Sequence, residues 1–404
     1  MLLYVLAWKT GDGRASFLHL RGAYRIFVED NALLGARGGQ SGWLLPTLES
    51  MSRDVRTLGN EIARDDEEAQ ADVASLLHTA FSQCLRDRSQ DPYESKKSLA
   101  MHMAVVLYKH CFRVNNLQMV KNISQVVKTN GGSLPRNSAD SVASLYFEGL
   151  LLMRSAIGSE FNARTMQTQR ANAEKMLTQA FKECHRDAVG NRKRILANLV
   201  PLRMRMGCLP ERSLLEKYDL VIFDDFSNAI RQGDLRGFSD LMKRHKRTLE
   251  LNDLRVHMED CRLILYRQIL KKIVAAVGLN QIPLNVVRRG LVLRGHVFDT
   301  GCEAFGFDWS LRLGGTMSLE SHSLYEEDQV KVVLTNLLQQ GVIKGAIKDS
   351  ESALWLKKGP TAFPDLPGRS DRVPRSSSRL RQQQQLRQTQ RSQPPHGSVF
   401  GMAP

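Results

Sequence analysis

The chain lacks any pair of cysteines at disulfide or zinc spacing. Its six cysteines, Cys84, Cys111, Cys184, Cys208, Cys261 and Cys302, are scattered, and no two form a CxxC. That excludes a disulfide scaffold and a zinc ribbon, and predicts reduced thiols in apolar surroundings, as in cytosolic or nuclear proteins. No run approaches the roughly 18 apolar residues that a membrane-spanning helix needs, so no membrane insertion is expected. The opening "MLLYVLAWKTGDG" has neither a charged n-region nor a small-residue cleavage site, so no signal peptide is read. The sequon at Asn122–Ile123–Ser124 is therefore expected to be unused.

Catalytic motifs are also missing. There is no GxxxxGK[ST], HExxH or GxSxG. "GARGGQSG" (35–42) is glycine-rich but follows no strand, so it makes a poor phosphate loop. Cys184 and His185 are adjacent; on a helix they point about 100° apart, which predicts one buried thiol and one surface imidazole. "DDEE" (65–68) reads as a solvated helix start, where the dipole favours acids, and Asp224 and Asp225 read the same way. No enzyme, no cofactor and no metal are expected.

What the chain has in excess is positive charge. Lys and Arg number 57 against 42 Asp and Glu, a formal net charge of +15. Such a balance predicts an anionic partner, whether nucleic acid, an acidic protein or an anionic surface. The plainer alternative is a solvated surface with an arginine-rich tail. At 404 residues, with 42% hydrophobic and 25% charged, the chain has the composition of a soluble protein of two or three units.

Along the chain, residues 1–42 hold seven glycines and no sustained helical period, and are expected to be poorly ordered. From Trp43 the pattern changes. Leu48, Met51, Val55, Leu58 and Ile62 recur at three and four, one apolar face of a helix. Paired amphipathic stretches with short polar links follow, including "SKKSLAMHMAVVLYKHCFRVNN" and "ANAEKMLTQAFKECHR". They predict a degenerate, TPR-like α-solenoid over 43–250. "NRKRILANLVPLRMRMGCLP" opens a helix that Pro201 should kink. "AIRQGDLRGFSDLMKRH" reads as two short helices broken at "QGD", and "LRVHMEDCRLILYRQILKKIVAAVG" as one long helix. A short helix "PLNVVRRGL", a helix over 326–340 and the alternating "GVIKGAIKDSESALWLKK" follow. Helix, helix, helix and a two-stranded ribbon is the order of a winged helix, placed at 251–366. The tail, 367–404, is Ser, Arg, Gln and Pro with seven arginines between 369 and 391, and is expected to be disordered.

In sequence, "QAFKECHRDAVGNRKRILANLVPLRMRMGCLP", "LLEKYDL", "AIRQGDLRGFSDLMKRH" and "CRLILYRQILKKI" resemble the PCI-domain family, the helical-repeat and winged-helix module of proteasome-lid, signalosome and translation-initiation subunits. "DPYESKKSLAMHMAVVLYKHCFRVNN" and "GVIKGAIKDSESALWLKK" fit its branch that serves nuclear transcription-coupled mRNA export, the signalosome-subunit-like branch. The resemblance covers about 43–291 and 325–366. It implies an all-α fold closed by a small β-hairpin and a non-enzymatic scaffold role in the nucleus, at the nuclear pore. It also implies two protein partners, a large helical scaffold subunit of the export complex and a small acidic Sem-type subunit. A signalosome- or proteasome-lid-type assembly is the alternative. Two departures stand out: the glycine-rich 1–42, and an intervening stretch at 292–324, which is expected to be disordered. A hydrolase or transferase housed in 292–324 is the enzymatic rival.

The candidate nucleic-acid contacts are basic. They are Arg192, Lys193 and Arg194; Lys271 and Lys272; Arg288 and Arg289; and the wing lysines Lys344, Lys348, Lys357 and Lys358. The run Lys243–Arg244–His245–Lys246–Arg247 is a further cluster. Cationic surfaces bind phosphate by releasing counterions and need no special spacing. In the ribbon, alternation sets Lys344 with Ala346, and Trp355 with Lys357. Lysines on an edge strand also simply prevent aggregation. The helix 326–340 begins with acids and has no arginine pair to read guanine, so RNA or single-stranded nucleic acid without sequence preference is the expected ligand.

Overall fold

The computed structural model describes residues 2–29, 42–62, 65–87, 95–130, 138–158, 163–295 and 319–366. Cys302, most of "GARGGQSG", the centre of the 292–324 stretch and the tail 367–404 lie outside the described residues. The chain divides into two compact units, one of residues 1–202 with 212–221, the other of 203–211 with 222–404.

The first unit is all helix. Its elements are α1 (Leu2–Lys9), α2 (Gly13–Glu29), α3 (Leu45–Ile62), α4 (Glu67–Arg86), α5 (Lys97–Arg113), α6 (Leu117–Asn130), α7 (Ser138–Gly158), α8 (Ala163–Glu183), most of α9 (Val189–Arg205) and α10 (Arg212–Lys217). Neighbours in sequence pack on one another, as in a helical-repeat solenoid. The predicted face of α3 turns inward: Leu48, Met51 and Val55 are buried, and Leu58 and Ile62 pack against the same core. The acids before α4 act as expected. The Asp66 carboxylate accepts from the amide of Ala69, and Glu67 and Glu68 occupy the first turn. α9 runs on through Pro201 to Arg205.

Residues 2–29 overturn the expected disorder of the N-terminal segment. They form α1 and α2, and Phe17, Leu20, Tyr24 and Val28 are buried in the unit's core. The Tyr24 hydroxyl meets Ser52 Oγ at 2.9 Å, and Gln83 donates to the carbonyl of Val28. Each helical glycine costs about 1 kcal/mol, whereas each large apolar side chain removed from water contributes about 1.5–3 kcal/mol. Four such side chains outweigh Gly13 and Gly22, and counting glycines obscured the spacing of three, four and four. Cys84, Cys111 and Cys184 are buried, as is Cys261 in the second unit. Burial pushes the Cys84 and Cys111 thiols up to about 12, which makes them inert.

The second unit holds α11 (Ile222–Gln232), α12 (Leu235–Arg244), α13 (Lys246–Leu251), α14 (Arg255–Asp260), α15 (Arg262–Val277), β1 (Gln281–Pro283), α16 (Leu284–Leu293), α17 (Leu319–Gln339), β2 (Gly345–Lys348) and β3 (Ala353–Leu356). The expected boundary at 250 falls inside this unit. α11 and α12 meet through Phe226 and Phe238, edge to face at 5.2 Å. Asp234 caps α12 by accepting from the amide of Gly237. The single long helix expected to open the winged helix is two, α14 and α15, which part at Cys261. Its thiol lies 3.3 Å from the carbonyl of His257.

The 292–324 stretch differs from expectation at both ends. Val292 and Leu293 complete α16, and α17 starts at Leu319, seven residues before the predicted start, so only the centre separates the helices. The ribbon is also more than a hairpin. β3 lies between β1 and β2, antiparallel to both, in the order β1-β3-β2. β1 is three residues long and ends in proline, too short for alternation to reveal. Ile282 faces Leu354 in register, and both are buried.

Candidate nucleic-acid interface

Strand register decides which side chains share a face of the wing sheet. Ala346 is opposite Trp355, Lys348 opposite Ala353, and Gln281 opposite Trp355. Directly opposite residues point to one side. Ile347, Leu354, Leu356 and Ile282 form the other side, which turns to the helices; Ile282, Leu354 and Leu356 are buried. Gly345 sits on that side too, where a Cβ would run into the carbonyl oxygen of Trp355, so the close strand approach requires glycine.

The outer side carries the lysines. Lys348 is exposed, and its ammonium lies 4.0 Å from the centroid of the Trp355 ring. Alternation brings Lys344 and Lys357 to the same side as Ala346 and Trp355; the amide of Lys357 donates to the carbonyl of Lys344 at 3.0 Å. Both are exposed, and neither side chain has an ion-pair partner among the described residues. Lys358 follows, also exposed. Glu351, in the turn between β2 and β3, ties the outer side together. Its carboxylate accepts from Trp355 Nε1 at 3.0 Å and from Gln281 Nε2 at 2.8 Å, and lies 3.4 Å from Lys348 Nζ. The sequence paired Trp355 with Lys357. It did not bring in Lys348, Glu351 or Gln281, because those contacts depend on register and on a strand 70 residues earlier.

The outward face of α17 is poor in cations. Asp328, Val332, Thr335, Asn336 and Gln339 are exposed. Lys331 is held by Asp349 at 3.2 Å and Asp328 at 3.6 Å. The hydrogen bond to Asp349 raises its ammonium above the ordinary lysine value.

The remaining candidates sit in other settings. Lys272 donates to the carbonyl of Gln232 at 2.6 Å, and Lys271 lies over the Phe363 ring at 5.5 Å. Arg288 is half-buried on α16, while Arg289 is exposed. Arg192, Lys193 and Arg194 belong to the first unit. Arg192 stacks over Phe181 at 4.3 Å and Tyr218 at 5.9 Å. Lys193 pairs with Asp219 at 2.6 Å and holds that carboxyl below its usual range, which leaves Arg194 as the exposed member. In the second unit, Lys243, Arg244, Lys246 and Arg247 are all exposed where α12 meets α13. Among the described residues, no group of three or more His, Cys, Asp or Glu could hold a metal ion, and no helix is long and apolar enough to cross a membrane.

No family model matches the chain. Among curated proteins it is 26% identical over 328 residues to "PCI domain-containing protein 2 homolog" of Dictyostelium discoideum, covering 80% of this chain and 66% of that protein. It is 24% identical over 335 residues to "PCI domain-containing protein 2" of Xenopus laevis, covering 81% and 74%. To "Protein CSN12 homolog" of Neurospora crassa it is 25% identical over 358 residues, covering 81% and 73%. The chain thus spans just under two thirds of the Dictyostelium relative and somewhat more of the others. Over about four fifths of its length the chain is similar to proteins that carry the PCI domain's name, and its helical-repeat unit and small three-stranded sheet fit the fold of that family.

Proposed function

We propose that the protein is a non-enzymatic scaffold subunit of a nuclear mRNA-export complex, working at the nuclear pore. Its protein partners would be a large helical scaffold subunit and a small acidic subunit of the Sem type. In this reading it contacts RNA, or single-stranded nucleic acid generally, without sequence preference. The observation that carries the nucleic-acid part is the outer side of the wing sheet, where Lys344, Lys348 and Lys357 surround Trp355. A net charge of +15 supports it, since a cationic protein gains affinity for polyanions through counterion release.

The test is binding of single-stranded RNA to the purified chain across a salt series. Changing Lys344, Lys357 and Lys358 to glutamate should weaken binding and flatten the log–log salt slope by roughly 2, at about 0.7 per phosphate contact. The large scaffold partner should stay bound. Arg192→Ala should leave RNA affinity unchanged, because its guanidinium is committed to Phe181 and Tyr218. No binding at low salt would sink the RNA reading. A second reading, a signalosome- or lid-type assembly in which the winged helix packs against another subunit, draws on the cation-poor outward face of α17 and on the CSN12 name of one relative. Affinity purification that identifies the bound proteins separates the two.

A further inference from the structure

Trp355 differs from its neighbours on β3. Ala353, Leu354 and Leu356 are buried, whereas Trp355 is half-exposed on the outer side of the sheet. Its surroundings are assembled rather than incidental. The indole N–H donates to Glu351 Oε2 at 3.0 Å, which fixes the ring's orientation. Gln281 Nε2 donates to the same oxygen at 2.8 Å, which fixes the carboxylate. Lys348 covers the ring at 4.0 Å, with Glu351 Oε1 3.4 Å from its ammonium. Lys344 and Lys357 flank the site and are exposed to solvent.

We propose that Trp355 is a base-stacking platform, so that the wing sheet takes single-stranded nucleic acid in preference to duplex, with Lys348 passing from the ring to a phosphate as a base arrives. This rests on the nucleic-acid reading above. An oriented aromatic ring on an open sheet face, bordered by cations, is the arrangement that binds unpaired bases irrespective of sequence, because every base has a π-face. The exchange is favourable in size. An exposed ammonium over a ring is worth roughly two- to fivefold in an equilibrium, and a stacked base roughly five- to a hundredfold. The displaced ammonium is not stranded, because the incoming strand brings phosphates of its own. A duplex keeps its bases stacked inside and can offer only phosphates. It therefore meets the lysines but leaves the ring covered by Lys348.

The test compares fluorescein-labelled oligoadenylate with an RNA duplex of equal length on the full chain. Trp355→Leu keeps an apolar side chain but removes the ring. It should weaken oligoadenylate binding about tenfold or more and leave duplex binding unchanged, while Trp355→Phe retains most of the affinity. In a protein with Trp8, Trp43 and Trp309 changed to phenylalanine, oligoadenylate should quench the remaining indole fluorescence, a readout that does not depend on how any Trp355 variant folds. Unchanged oligoadenylate affinity in Trp355→Leu, with loss in Lys344→Glu/Lys357→Glu, overturns stacking but leaves the RNA reading standing. If neither variant loses affinity, both fall. Polyglutamate binding as tightly as oligoadenylate, with equal sensitivity to Trp355→Leu, would assign the face to an acidic protein and overturn the proposal.

Discussion

Arg267 donates through Nε to the carbonyl of Val342 at 3.1 Å, from a side chain that is only 5% exposed. The same guanidinium reaches the carbonyl of Pro364 at 2.7 Å and lies over the Phe363 ring at 5.8 Å. One buried cation of α15 thus ties down both the entry to the wing and the segment that leaves it. That contact and the apolar inner face of the sheet both hold the wing on the helices.

Arg267→Met should destabilise the second unit by about 2–4 kcal/mol, because the buried Val342 carbonyl and the part-buried Pro364 carbonyl lose a charged donor. Urea unfolding measures it. Arg267→Lys should recover little, since one ammonium cannot reproduce the fork of the guanidinium. A loss under about 0.5 kcal/mol would mean that water satisfies the carbonyls instead.

Gly207 has φ +82°, and a Cβ built there collides with the side chain of Leu366, which is buried. Gly207→Ala therefore meets two penalties, the left-handed backbone at roughly 1–2 kcal/mol and the displacement of Leu366. The expected result is loosening of residues 359–366, seen as faster tryptic cleavage after Lys357 and Lys358. An unchanged cleavage rate would place the anchoring of this segment elsewhere, with Arg267 the first alternative.

Leu20 and Leu18 lie two residues apart on α2, yet Leu20 is fully buried and Leu18 is 52% exposed. Leu20→Ala should cost about 2–5 kcal/mol, and Leu18→Ala less than about 0.5 kcal/mol. Thermal denaturation compares them. Equal, small effects would remove α2 from the core of the first unit.

His110 is fully buried on α5, with Nε2 3.0 Å from the carbonyl of Gln70. Burial, reinforced by the nearby charge of Arg56, lowers its pKa below the ordinary 6.5, although the Gln70 carbonyl opposes the shift. The imidazole is therefore neutral in the folded state, while the unfolded chain still titrates at the ordinary value. Between those two values the unfolded state binds more protons, so stability falls as pH drops. The contribution is fully present above about pH 6.5 and is lost progressively below it. Urea unfolding at neutral and mildly acidic pH should show the decline, and His110→Gln should make it shallower. A decline of the same size in His110→Gln would assign it to other groups.

The helical framework was legible because helices announce themselves locally. Leu48, Met51, Val55, Leu58 and Ile62 each meet the core as their spacing requires. Asp66 and Asp234 cap the helices that their positions suggest. Where composition and periodicity disagreed, periodicity prevailed. The glycines of 1–42 masked α2, whose buried set obeys the same spacing rule. β1 carried too few residues to give a pattern, so a two-stranded ribbon was expected in place of three strands.

The sequence by itself determined that the protein is helical, that its thiols lie mostly in the core, that it is strongly cationic and that a lysine-bearing ribbon follows its helices. Those properties follow from composition and from spacing of three and four residues or of two, which each segment carries internally. Only the tertiary structure decided which cations are engaged and which stand open. Lys193 is paired with Asp219, Arg192 lies on Phe181 and Lys272 is bound to a backbone carbonyl, while Lys344 and Lys357 face solvent beside Trp355. A side chain's partners come from distant parts of the chain, brought close by packing and strand register, and no local pattern records them.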